Sequence, residues 1–429
     1  MDIAELVDLD IAEKAALKGL CYHCLGRQFA KLGHGISNKE RGFYLRNALA
    51  SYVKNKESKQ SILQEPSDCW LCENLFDELE KFADLVVKEL SPYNYETFLI
   101  GSKIDAEIMD REERLWGELG NHHYEPIKAE LNREVGKLVG ARIKKEVNFE
   151  KPDITAVIDT RFDSIELQIT PLYIFGRYRK LVRGIPQTRW DCKECWGKGC
   201  KKCNNTGKMY ETSVEELVAK EVMNAAKGAE HSFHGMGRED IDARMLGNGR
   251  PFVLEIKIPI RRQLDMKALE ERINAYTEGK VEVFNLRFSS KDEVIAIKEA
   301  KVLKTYDVEV KFAKPIKHEK LKEVVRAFKD LVIEQQTPKR VLHRRADKTR
   351  RKMVKDIGIE AVEKKGGMFK VISAVLKITG ESGIYVKELI HGDEGRTNPS
   401  IAGYLNAECD VRRLDVTHIH DENGGKGKW

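Results

Sequence analysis

The sequence predicts an α+β protein of several domains, and three observations carry that expectation. First, at 429 residues the chain is too long for one core, so about two to four domains are expected. Second, residues 1–90 space apolar side chains as helices do, whereas the second half alternates strand-like and helix-like segments, the pattern of a mixed or antiparallel sheet with helices packed on it. Third, eight of the nine cysteines fall in four Cys-x-x-Cys pairs, Cys21/Cys24, Cys69/Cys72, Cys192/Cys195 and Cys200/Cys203. In an unsecreted chain such pairs argue for metal over disulfides. The expected division is a helical zinc-binding region over 1–90, a small α/β domain with a four-cysteine knuckle over 91–210, and a larger module of strands and helices over 211–429.

Charged residues make up 34% and the formal net charge is +6. That balance permits a nucleic-acid partner without demanding one. The acidic start, Met1 to Asp8, lacks the cationic and apolar regions of a signal peptide. No apolar run reaches about 18 residues, so no membrane partner is expected. A cytoplasmic protein is expected, and a monomer.

From the N-terminus, Ile3–Leu20, Gly42–Lys54 and Asn74–Leu90 read as helices, interrupted by Cys21-Tyr-His-Cys24 and Cys69-Trp-Leu-Cys72. Two such knuckles can fold onto one tetrahedral zinc; buried free cysteines are the alternative. With four thiols at hand, His23 is a bystander. Glu96–Ile104 reads as a strand, Ile127–Val147 as an amphipathic helix, and Asp153–Asp159 and Ser164–Tyr178 as strands rich in β-branched residues. Gly176 to Trp190 is basic with Tyr178 and Trp190 interleaved, cations for phosphate and aromatics for stacking. Four cysteines then follow within Cys192–Cys203, with glycines for the turns and Lys198, Lys201 and Lys202 as a positive rim: a structural zinc knuckle beside an RNA path.

The third module opens with helix Val214–Ala229. A loop from His234 carries three acids, Glu239, Asp240 and Asp242, between Arg238 and Arg244. Gly247-Asn-Gly249 reads as a tight turn. Phe252–Ile258 reads as a core strand with Phe252, Leu254, Ile256 and Ile258 on one face. Helices Asp265–Tyr276 and His318–Lys329 alternate with strands Val281–Phe288, Val302–Phe312 and Leu331–Gln335. Residues 339–352 form the most basic run, with Arg340, Arg344, Arg345, Arg350 and Arg351 set against a single acid, Asp347. It reads as an arm gripping phosphates. Met368–Ile378 and Val411–Ile419 read as strands, and Asp421–Trp429 as a tail. Cys409, left alone, reads as a small buried apolar residue.

Gly237-Arg-Glu-Asp240-Ile-Asp242-Ala-Arg244-Met-Leu-Gly247 closely resembles the catalytic loop of the archaeal-eukaryotic tRNA pseudouridine synthases of the "Pus ten" family, which act at positions 54 and 55 of the tRNA T loop. The resemblance runs over nearly the whole chain. It implies a pseudouridine synthase catalytic domain, a THUMP-like RNA-binding domain in the middle region and a zinc-bearing accessory region at the N-terminus. It makes Asp240 the catalytic aspartate, in an Arg-x-Asp context, either attacking C1′ or taking a proton from C2′. It makes Lys387, in Tyr385-Val-Lys387, the basic partner of that aspartate, and Tyr306, in Lys304-Thr-Tyr306, the aromatic that stacks on the flipped base. Tyr385 joins them as substrate-binding, and Arg238 joins the basic run as RNA-binding. Asp242 and Arg244 are assigned to bracing the loop. The reaction is an isomerisation, so no catalytic cofactor is expected. No Walker, Rossmann or kinase motif is found. A non-catalytic RNA-binding protein is the alternative, and a THUMP-linked methyltransferase or thiolation enzyme the third reading.

Overall fold

The computed structural model describes residues 3–54, 56–365 and 370–421; the side chains of residues 4, 56–58 and 344 are not among what is described. The expected tail beyond Asp421 and the start of the strand expected from Met368 lie outside it. The chain divides into two compact units, Met1–Thr170 and Pro171–Trp429.

The first unit starts with a 3-10 helix, Ile3–Glu5, and helices α1 (Leu9–Ala16), α2 (Tyr22–Gly26), α3 (Asn38–Tyr52), α4 (Lys56–Leu63) and α5 (Leu79–Leu90). The single helix expected over Ile3–Leu20 is therefore two shorter pieces: Asp8 caps α1 by accepting from the Asp10 and Ile11 amides, which fixes a new start. Ser37 and Glu40 form a reciprocal capping box at the start of α3. Then come β1 (Thr97–Lys103), α6 (Ala106–Leu119), α7 (Ile127–Ile143), β2 (Glu146–Val147), β3 (Ile154–Asp159) and β4 (Ser164–Ile169). They form a four-stranded sheet in the order β2-β1-β3-β4. β1 and β3 are parallel, which requires the helical crossover that α6 and α7 supply. One apolar cluster, running from Ile3 to Ile158, joins these helices to the sheet.

The second unit contains β5 (Leu172–Lys180), α8 (Val214–Ala226), β6 (Glu230–Gly235), β7 (Arg244–Lys257), α9 (Met266–Tyr276), β8 (Val281–Ser289), α10 (Lys291–Glu299), β9 (Leu303–Lys317), α11 (His318–Ala327), β10 (Leu331–Gln336), β11 (Thr349–Lys364), β12 (Lys370–Gly380), α12 (Val386–His391), β13 (Thr397–Asn398), α13 (Ile401–Leu405) and β14 (Cys409–His420). The ten-stranded sheet has the order β13-β10-β11-β12-β9-β14-β7-β5-β8, with β6 also on β7. Among the described residues its one parallel pairing is β14 on β7, over Asp415–Arg244 and Val416–Met245. Because β5 occupies one edge of β7, β6 and β14 share the other: β6 along Phe252–Lys257, β14 at Arg244–Met245. The two strands diverge there, and residues 236–243 fill the fork.

Several expectations change. The division falls at Thr170/Pro171, not after residues 90 and 210, because β5 pairs on both sides within the second sheet, with β7 and β8, and draws the four-cysteine knuckle with it. The strand expected over Ser164–Tyr178 is thus two strands in two sheets. Gly247-Asn-Gly249 is no turn, since β7 runs through it. Gly247 and Gly249 have φ of 56° and 68°, and a Cβ on either would strike the Thr417 carbonyl or the Phe284 ring. Asn248 meanwhile bonds both backbone groups of Ile419. Ile258, past the end of β7, is exposed rather than in the core. The expected short last strand is twelve residues long and lies between β9 and β7. Cys409 is buried, which pushes its thiol up to about 12.

Candidate active site

The fork loop is pinned from below by cations on its backbone carbonyls. Lys180 Nζ donates to the carbonyls of Asp240 (3.0 Å), Ile241 (3.3 Å) and Ile185 (3.0 Å). Arg250 Nη1 donates to Met236 O at 2.7 Å, and Arg183 Nη1 to Asp242 O at 2.7 Å. Gly237 turns the chain at φ 76°. The three acids that follow have three different surroundings.

Glu239 points into the core and its side chain is fully buried. Oε2 accepts from Arg250 Nε at 2.9 Å and from the Tyr178 hydroxyl at 2.9 Å, Lys180 Nζ stands 3.8 Å from the carboxylate, and Gln187 Nε2 donates to the Tyr178 oxygen at 2.8 Å. Burial, and then the Glu239 charge, push Tyr178 well above the usual phenol value, so it stays a donor. Burial also pushes Lys180 down, against the pull of Glu239. Tyr178 is therefore committed to the core and does not offer the RNA stacking expected of it.

Asp240 points the other way, into a cavity of about 250 Å³. Its carboxylate is 3.0 Å from Arg340 Nη1 and 3.7 Å from Lys387 Nζ. Arg340 is held in turn by Glu388 at 2.7 Å; burial alone would lower Arg340, but Glu388 and Asp240 raise it above the usual guanidinium value. Asp242 is at the rim, with Lys387 Nζ at 2.6 Å from one oxygen and 2.9 Å from the other. Burial raises the Asp242 carboxyl, but the hydrogen bond and charge of Lys387, with a backbone amide and the Arg340 charge, together bring it below the usual carboxylate value. Asp242 does not pair with Arg244, whose partner is Asp415 at 2.7 Å.

Tyr306, on β9, lines the same cavity and is buried, which pushes it up to about 12. Lys304, two residues earlier on the same face, is pushed down to about 7 by burial and by Arg250. Arg345 Nη1 donates to the Tyr385 hydroxyl at 3.0 Å, and Gln335 fixes the Tyr385 backbone by accepting from its amide and donating to its carbonyl.

One cavity thus gathers Asp240, Tyr306, Lys387 and Tyr385 with Arg238, Arg340 and Arg345. Arg238 also lies over the Trp190 ring, 5.7 Å from its centroid. Arg350 and Arg351 are on β11 outside the lining, the first donating to Thr337 Oγ1 at 3.0 Å and the second exposed. The Arg344 side chain is outside the described residues. Lys180, Gln187, Arg250 and Glu388 are site residues that the sequence did not single out. A usable signal was a charge inside an apolar strand, Lys180 in register with Leu172, Ile174 and Tyr178.

The cysteines form two clusters, and within each every Sγ lies within 4.8 Å of the others. Sγ–Sγ separations are 3.8 Å for Cys21–Cys72, 3.9 Å for Cys192–Cys200, 3.8 Å for Cys195–Cys203 and 3.7 Å for Cys200–Cys203. A disulfide needs about 2.05 Å. A tetrahedron with Zn–S near 2.3 Å has edges of about 3.8 Å, so both donor sets fit zinc. Amides of Cys21, Gly199, Cys200 and Gly207 point at the sulfurs, as thiolates require. His23 faces away, bonded to Glu130 at 2.8 Å and stacked on Phe76.

Two family models match, "Pus10, C-terminal" over residues 173–420 and "Pus10 THUMP domain, archaeal" over 82–159. They fall on either side of the division at Thr170. Full-length similarity extends to proteins named tRNA pseudouridine synthase Pus10. That of Methanothrix thermoacetophila is 41% identical, covering 93% of this chain and 91% of its own. That of Methanopyrus kandleri is 40% identical, covering 95% and 97%, and that of Methanocaldococcus jannaschii 41%, covering 98% and 95%. Among solved structures, a Cbf5-Nop10-Gar1 complex aligns over 48% of this chain and 45% of that one at 16% identity and a TM-score of 0.30, too loose an overlap to carry an argument. No helix among the described residues is long and apolar enough to cross a membrane.

Proposed function

We propose that this chain, which belongs to the Pus10 family of tRNA pseudouridine synthases, acts as a cytoplasmic monomer on the T loop of tRNA. It converts uridine to pseudouridine at positions 54 and 55 with Asp240 as the catalytic aspartate. The observation that carries the reading is the placement of the Asp240 carboxylate in a cavity beside Tyr306, with Arg340 and Lys387 as counter-charges.

The chemistry breaks the C1′–N1 bond, turns the uracil and joins C1′ to C5. The C5 proton is lost and N1 gains one, so atoms and electrons balance without any redox partner or group donor. That is why the reaction needs no cofactor. The target base must first leave the T-loop stack. Tyr306 offers it a ring inside the cavity, and Tyr385, positioned by Gln335, closes a second side. Asp240 then acts at the sugar, by attack on C1′ or by removing a proton from C2′. Arg340 and Lys387 hold the carboxylate in place and supply the positive charge that RNA phosphates would otherwise deny it. Arg238, Arg345, Arg350 and Arg351, with Arg344, are assigned to the phosphates. The two four-cysteine clusters are assigned to structural zinc, which would brace the folds that carry them.

The test is incubation with unmodified tRNA transcript, followed by carbodiimide treatment and primer extension. Stops reporting positions 54 and 55 are expected with the parent protein and none with Asp240→Asn. A stop at one position narrows the reading to it. No stop with the parent, or undiminished stops with Asp240→Asn, overturns it.

A further inference from the structure

The four-cysteine knuckle of the second unit carries a residue that neither its fold nor a bound metal needs. Trp196 follows Cys195 and is 83% exposed. Its φ is 51°, the left-handed region, which is unfavourable for a residue with a Cβ. The turn is closed by the Trp196 amide donating to Cys192 O at 2.9 Å, a bond that any residue type with a backbone N–H could make. Glycine or asparagine would satisfy this position with less strain and would leave no indole in water. Backbone strain and exposed apolar area at one position, against stability on both counts, indicate a role in binding.

The surroundings specify the partner. Lys193, Lys198 and Lys201 are exposed and have no carboxylate within ion-pair distance among the described residues, whereas Lys202 is paired with Glu194. Neutralising a tetrathiolate zinc would account for some of this charge. It would not account for an indole held out among the lysines. Among the described residues, Trp196 is the one exposed large apolar side chain between Asp191 and Lys208, so the tip offers no apolar patch of the size protein interfaces use. A lone exposed aromatic in the same short knuckle as three exposed lysines suits a nucleobase stacked on the ring with phosphates alongside.

The knuckle is also rooted at the active site. Its base is closed by the Asp191–Lys208 bridge and by the Met209 amide donating to Trp190 O at 2.9 Å. Trp190 packs edge-on against Tyr210, and the guanidinium of Arg238, on the cavity rim, lies over the Trp190 ring. The base of the knuckle therefore adjoins the side of the cavity that Arg238 lines.

We infer that the knuckle tip is a second tRNA contact, in which Trp196 stacks on an unpaired base outside the modified loop position while Lys193, Lys198 and Lys201 hold neighbouring phosphates. The inference rests on the reading of the substrate as tRNA. It is tested on the full-length chain with Trp196→Gly and Trp196→Phe, using unmodified tRNA transcript. Trp196→Gly relieves the strained φ, so it should melt no lower than the parent. It should nevertheless raise Kd and KM for the tRNA about ten-fold or more, with kcat at saturating tRNA retained. Trp196→Phe should recover most of the loss. Lys193→Gln, Lys198→Gln and Lys201→Gln combined should flatten the dependence of log K on log salt by about 2. A Trp196→Gly protein that binds tRNA like the parent overturns the inference, whatever else docks there. So does one that melts lower and binds weakly in proportion, since that marks a structural role. If the parent makes no pseudouridine but Trp196 still governs tRNA binding, the catalytic reading fails and the contact stands. If the parent is active and its KM ignores Trp196, the contact alone fails.

Discussion

Replacing Glu239 by Gln should damage the protein's stability more than replacing Asp240 by Asn, although the two acids are neighbours on one loop. The Glu239 carboxylate accepts from Arg250 Nε at 2.9 Å and from Tyr178, and lies 3.8 Å from Lys180. All three partners are buried. An amide of the same shape can still accept from one of them, but Arg250 and Lys180 are left as two buried cations without a carboxylate. Breaking a buried pair from one side costs about 3–5 kcal/mol. At roughly 2–4 °C per kcal/mol for a domain of this size, the second unit should melt about 6–20 °C lower. Asp240 is 30% exposed and its ion pair with Arg340 is partly in water. Its replacement should cost less than about 1 kcal/mol. Scanning calorimetry of the three proteins measures both effects. Pseudouridine mapping below the lower melting point should then find Asp240→Asn inactive and Glu239→Gln impaired, because Arg250 and Lys180 also hold the loop carbonyls of Met236 and Asp240. A Glu239→Gln protein that melts close to the parent would refute the argument.

Asp242→Asn removes a partner of Lys387 at the rim but nothing inside the cavity, so substantial turnover in the tRNA assay should remain; a dead Asp242 variant beside an active Asp240 variant means the wrong aspartate has been assigned. Lys304, depressed from 10.5 to about 7, holds fewer protons folded than unfolded between those values. Its contribution to stability therefore rises with pH across that window, and its full penalty stands below pH 7. Lys304→Met should stabilise most below pH 7 and less as pH approaches 10.5, with urea-melt stability profiles differing in slope by up to about 1.4 kcal/mol per pH unit; parallel profiles count against it. Metal analysis of purified protein should find zinc, and Cys200→Ser should remove the share held by the Cys192–Cys203 cluster and leave that of Cys21–Cys72; equal metal content in both proteins sinks the zinc assignment. Arg345→Gln with Arg351→Gln should weaken tRNA binding and lower the salt slope by nearly one unit each; an unchanged slope excludes them as phosphate contacts.

What could be read from the sequence was local or periodic. The cysteine pairs announce their clusters because four thiolates need little more than two turns. The alternation of strand and helix in the second half follows from side-chain period, and the structure keeps it. What was lost depended on partners from other elements. Residues 339–352 read as one basic arm by charge density, yet Arg340 turns inward to Asp240 and Glu388, both far off in the chain. Tyr178 read as an RNA aromatic because it sits among arginines. The strand period places it with Leu172, Ile174 and Lys180, on the face opposite Arg177 and Arg179, and that period was the better guide. Gly247-Asn-Gly249 carries the residues of a turn because a bulge needs the same left-handed backbone. Only the approach of Thr417 and Phe284 from two other strands shows which of the two it is.

The fork explains why catalytic potential lies on this loop and not on another. A strand edge whose two partners diverge leaves backbone groups unpaired, and buried backbone groups left so are costly. Here side-chain cations from β5 and β7 take the loop carbonyls, which makes the buried carboxylate of Glu239 necessary to balance them. With that charge fixed inside, the next side chain, Asp240, lies in the cavity, at the start of a turn closed by the Ala243 amide donating to the Asp240 carbonyl. Arg340 and Lys387 then meet it from the β10–β11 connection and from α12, two segments brought near the fork because β9, β12, β11 and β10 succeed one another across the sheet. The geometry of the aspartate is thus set by the strand pairing beneath it before any substrate arrives, which is the condition for a charged group to act without first reorganising its surroundings.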